Sequence, residues 1–185
     1  MRIWTRALLV AVGVLALASC EDGGTGLGAA DPGEFRVTVS GDVDGDFSGT
    51  ARIYQDDFFL PESQSHPGRL IILTSSDGAE IMLRPGGILT GDSEFDFQEG
   101  RHRLGVLTDV QADLVTGTST TVGVLYIATE GTLRVTRSSE ERVAGEFEFD
   151  AVFVETDRST RRVRVRGAFH ALQGPTFGAA RQAPR

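Results

Sequence analysis

The 185-residue chain has no lysine, no asparagine and a single cysteine, Cys20. One cysteine excludes an intrachain disulfide, and the absence of lysine excludes Ser–Lys chemistries outright. A GC-rich coding bias accounts for the missing lysine and asparagine without invoking function. No apolar run reaches the ~20 residues with which a helix crosses a bilayer. With a formal charge of −8 and no basic stripe, the chain does not read as a nucleic-acid binder. Neither a G-x-S-x-G turn nor a glycine-rich loop opening a helix occurs, because the glycines punctuate strands instead.

What is present is enough for one folded domain: hydrophobic residues make up 40% and charged residues 24%. The first residues carry a different pattern. Arg2 and Arg6 precede an uncharged, mostly aliphatic run, Ala7 to Leu17, and Ala18, Ser19 and Cys20 close it with small side chains. This is the layout of a secretory leader, too short to stay in a membrane, so residues 1–19 are expected to direct export.

The quartet Leu17-Ala18-Ser19-Cys20 resembles the lipobox of bacterial lipoproteins. That resemblance implies cleavage before Cys20, a thioether diacylglycerol on its sulfur and an amide-linked, palmitate-type acyl chain on its nitrogen. At ~0.8 kcal/mol per buried methylene, more than one chain anchors stably where a single chain is marginal. The implied location is the bacterial cell envelope, with the domain extracytoplasmic, periplasmic or on the cell surface. Glu21 and Asp22 follow the cysteine, and acidic residues there affect sorting between inner and outer membranes by rules that vary among lineages.

Loss of the leader removes two of the 18 basic residues, leaving 16 against 26 acidic ones and a formal charge of −10. Such a domain is repelled by anionic head groups, so the anchor is the only membrane contact expected. Residues 20–33 read as the lipidated cysteine and a flexible tether rich in glycine, residues 34–173 as the folded domain, and residues 174–185 as a disordered tail.

Within residues 34–173, period-two alternation predicts strands throughout. Phe35, Val37 and Val39 share one face, and Phe47, Gly49, Ala51 and Ile53 another. Leu70 to Thr74 and Ala79 to Arg84 form a hairpin across Asp77-Gly78. A strand from Val122 to Ala128 precedes a meander built on Leu133 and Val135, on Val143 to Phe153, and on Val163, Val165 and Phe169; Arg103 to Leu107 is a further candidate. The expected fold is all-β, an antiparallel β-barrel or β-sandwich of about 8–10 strands, since an open sheet would expose long edges. The segments Gly131 to Thr136 and Arg142 to Phe149 are similar to a hairpin of uncharacterised bacterial lipoprotein families of unknown function, a resemblance that implies an exported β-rich domain and brings no catalytic residues.

Glu146, Glu148 and Asp150 lie outward on one strand, and Arg162, Arg164 and Arg166 on the next. A register placing Asp150 opposite Arg162 would set opposite charges across from each other, which reads as register control on a solvated face; the alternative is an arginine row for an anionic partner. Asp42, Asp44 and Asp46 have the alternate spacing of Ca²⁺ ligands, yet Phe47 and Ile53 stand where an EF-hand loop needs Gly and Glu. Turn chemistry is the expected role, with no metal or other cofactor, and Ca²⁺ is the alternative. His66, His102 and His170 are not paired at metal-ligand spacing. In the long loop read from Gln55 to Arg69, Phe58, Phe59 and Leu60 either plug one end of the sheet or form a recognition surface. Pro85 to Gly100, with Phe95 and Phe97, is another strand or a second long loop.

No nucleophile, base or carboxylate pair stands out, so no enzyme activity is expected. The expected function is a non-catalytic binding or interaction module engaging an envelope protein, glycan or small ligand through strand-end loops. The alternative is a barrel carrying a small apolar ligand in its interior.

Overall fold

The computed structural model describes residues 28–59, 65–85, 96–106, 108–117, 123–154 and 160–175. Among them there are nine strands and no helix: β1 (Glu34–Gly41), β2 (Gly45–Phe59), β3 (Ser65–Ser75), β4 (Glu80–Pro85), β5 (Gly100–Leu104), β6 (Val110–Thr116), β7 (Val124–Ser138), β8 (Arg142–Val154) and β9 (Thr160–Gln173). The leader, Cys20 and most of the tether lie outside the described residues, as do Leu60, Phe95 and the tail from residue 176.

The strands are hydrogen-bonded in the order β1-β2-β3-β4-β6-β5-β7-β8-β9, and β9 returns to β1, so the sheet closes as a ring. The all-β expectation holds, with one amendment: the sheet is mixed. Beyond the start of β1 its two neighbours meet, Arg52 of β2 opposite Leu172 of β9. Both are antiparallel to β1, so they are parallel to one another. The same logic applies where β5 and β6 share one edge of β7 and touch at Leu104 and Val110.

Alternating side chains fill the ring. Phe35, Val37 and Val39 of β1, Ala51 and Ile53 of β2, Ile71 and Leu73 of β3, and Ile81 and Leu83 of β4 are all buried. Opposite them, Phe147 lies 5.8 Å from Phe149 and 6.1 Å from Phe169, ring centre to ring centre. Burial of each such ring is worth ~1.5–3 kcal/mol. Four inward glycines face these rings across the ladder: Gly49 opposite Phe35, Gly131 opposite Phe149, Gly145 opposite Phe169 and Gly167 opposite Phe147. A methyl group on Gly167 would stand 2.5 Å from Phe147 Cζ and 2.6 Å from Val37 Cγ2. A closed ring has a short inner circumference, and glycine supplies the room its phenylalanines occupy.

Several sequence expectations shift. The strand expected from Val122 and the one containing Leu133 are a single strand, β7, with a bulge between Ala128 and Glu130. The extra residue breaks the period of two, which in the sequence looks like a boundary. The expected loop from Gln55 to Arg69 is largely ladder, Gln55 pairing with Arg69 and Phe59 with Ser65. Pro67 is tolerated there because β4 pairs with β3 only over Ile71 to Thr74, leaving that side of Pro67 outside the β3–β4 ladder. The turn at Asp77-Gly78 is as expected, with Gly78 at φ 91°. Strand β5 begins and ends three residues earlier than the candidate Arg103 to Leu107. Strand β6, with Val110, Ala112 and Leu114 buried, was not anticipated.

Candidate functional site

The outer face of β7, β8 and β9 carries the charged ladder. The observed register places Asp150 opposite Arg164 and Glu148 opposite Arg166, two residues along from the expected pairing of Asp150 with Arg162; Arg162 instead faces Val152. The opposition of charge survives the shift. Arg164 reaches Glu148 Oε1 at 2.5 Å through its terminal nitrogen and at 2.7 Å through Nε, and its Nε lies 3.8 Å from Asp150. Arg166 donates to the same Glu148 oxygen at 3.0 Å. Burial pushes the Glu148 carboxyl up, but the hydrogen bonds and charges of Arg164 and Arg166 outweigh it and hold the group below its ordinary range. Two shallow depressions, of about 410 and 480 Å³, lie over this ladder and share Glu130, Asp150 and Arg164 in their walls. The arginines most central to the row are already matched by acids of the same face, so the arrangement favours register control over capture of an anion.

The three aspartates after β1 go to different partners. Asp42 accepts from the Arg162 backbone N–H, while its own N–H donates to the Arg162 carbonyl at 2.9 Å. Asp44 accepts from the Gly41 N–H at 3.0 Å, and Asp46 from the Thr38 hydroxyl at 2.8 Å. The carboxylates thus cap the end of the β1–β2 hairpin and tie it to β9. Among the described residues no three His, Cys, Asp or Glu side chains gather as metal ligands. His102 Nε2 lies 2.6 Å from the Gln98 carbonyl, and His170 sits on β9 with its buried Nε2 lacking a hydrogen-bond partner. Phe58 and Phe59 belong to the end of β2, opposite His66 and Ser65, rather than to a loop.

Two arrangements were not foreseen. At the end of the ring where β7 turns into β8, Arg69 of β3 is 12% exposed and pairs with Asp96, the Ser138 hydroxyl and the Ser139 carbonyl. Glu99 accepts from the Ser138 N–H, and Phe97 between these acids is buried. Of the two alternatives for this segment, the described residues 96–99 fit the loop, and Phe97 packs from it into the core beside the Arg69–Asp96 pair.

The second lies on the outer surface. Ile72, Met82, Asp113, Ile127 and Val152 form one line across β3, β4, β6, β7 and β8. Ile127 is 38% exposed and its neighbour Leu125 43%. In the middle Asp113 is buried, held by Arg84 at 2.7 Å and by the Gln111 amide at 3.2 Å. On β6, Val110, Ala112 and Leu114 are buried inward, and the outward Asp113 is covered as well. Inside the ring the Tyr126 hydroxyl is buried without a partner, and its ring lies 6.1 Å from that of Phe153.

These features define an all-β domain whose polar groups serve turns, caps and register. No family model, no curated protein and no solved structure matches the chain.

Proposed function

We propose that the chain is a lipid-anchored, extracytoplasmic domain of the bacterial cell envelope that acts as a non-catalytic binding or interaction module. The lipobox-like quartet ending at Cys20 supports the anchor, and a tether of about a dozen residues would hold the domain on the order of 20 Å from it. The observation that carries the choice of a module is the crowding inside the ring at Gly167, where there is no room for one more methyl group. Binding then falls to the outside, to strand-end turns or the outward strip around Ile127, with an envelope protein, glycan or small ligand as partner.

The unpartnered Tyr126 hydroxyl favours a second reading, a carrier whose interior opens to admit a small, largely apolar ligand with one polar atom for that hydroxyl. Native mass spectrometry of residues 21–185 purified gently from the periplasm separates the two. A bare mass is the expected result; a reproducible extra mass lost on denaturation would overturn the module in favour of the carrier. For the anchor, labelling with an alkyne fatty acid should mark the wild-type chain, whereas Cys20→Ser should lose the label and leave the membrane fraction. Labelling that persists in Cys20→Ser would sink the lipidation assignment.

A further inference from the structure

We draw no further inference here: the strongest candidate, the outward apolar strip of Ile72, Met82, Ile127 and Val152 flanking the buried Asp113 on strands β3 to β8, carries nothing because no feature of the structure shows what covers it.

Discussion

Gly167 of β9 lies directly opposite Phe147 of β8, and the phenyl ring occupies the space a Cβ on residue 167 would need. Both Val37 and Phe147 would have to give way to a larger side chain, and both are buried in a filled core. Overpacking of this kind costs ~1–3 kcal/mol. Gly167→Ala should therefore lower the urea midpoint with little change in slope, and Phe147→Leu in the same chain should recover part of the loss. Unchanged stability of Gly167→Ala would remove the packing argument.

Arg69 joins β3 to the segment around Phe97 and to the β7–β8 turn through one guanidinium. Replacement by Met keeps the stem but removes the charged donor, leaving Asp96 with the Phe97 N–H and the Ser139 carbonyl with the Arg142 N–H alone. A loss of ~1–3 kcal/mol is expected, with hydrogen exchange accelerated at residues 96–99 and in the β7–β8 turn before the rest of the sheet. Equal protection of those amides in the variant and the parent would show that Arg69 is not what holds Phe97 in.

Glu148 carries a pH dependence of definite sign. Its carboxyl is held below the ordinary value of 4.5 in the folded chain. It therefore contributes stability that is present above that value and is lost as pH falls through the lower, folded one. Because the side chain is one-third exposed, solvent and salt screen the pairs, and ~0.2–1 kcal/mol is the expected size. Glu148→Gln should lower stability by that amount at neutral pH and converge on the parent in acid, so that the acid limb of its stability curve is flatter. A variant with the same acid limb as the parent would place that dependence on another carboxylate.

Asp113 is 3% exposed, whereas its partner Arg84 keeps a side chain 39% exposed. Removing the cation leaves a buried carboxylate with only the Gln111 amide, so Arg84→Met should cost ~1–3 kcal/mol. Adding Asp113→Leu, which removes both charges, should restore much of it, since buried ion pairs are often matched by apolar packing. If the double variant is less stable than Arg84→Met alone, Asp113 contributes through contacts other than the arginine.

The Asp42 carboxylate caps the Arg162 N–H at the place where β1 meets β9. Asp42→Ala should lower the melting temperature by a few degrees, on the order of 1 kcal/mol, whereas millimolar Ca²⁺ should leave the parent's melting temperature unmoved. A rise with Ca²⁺ that disappears in Asp42→Ala would restore the cation reading of Asp42, Asp44 and Asp46.

The inward rows were legible in the sequence because period two assigns each residue a face wherever one face is buried. The register of β8 on β9 was not read correctly from charge, since a slip of two residues keeps every side chain on its face and still opposes acid to arginine. Shape decides between the alternatives. Pairing Asp150 with Arg162 would set Gly145 against Gly167 and Phe147 against Val165, leaving a void beside a crowd; the observed ladder sets each glycine against a phenylalanine. That clue was present in the sequence. Strand β6 was missed because Asp109 and Asp113 look like loop chemistry, and only the fold reveals that one of them is buried beside Arg84. The bracket around Arg69 was not legible at all, because its partners lie 27 and 70 residues away along the chain.

Strand β1 pairs with β2 over Glu34 to Val39 and with β9 over Phe35 to Gly41. Any load on an N-terminal tether would therefore arrive along a strand gripped on both sides. Tension applied along that axis meets the two ladders in shear, so their bonds yield together rather than one at a time as they would in an unzipped hairpin. A hold on the N-terminal side would thus load a strand that the closed ring pairs on both edges.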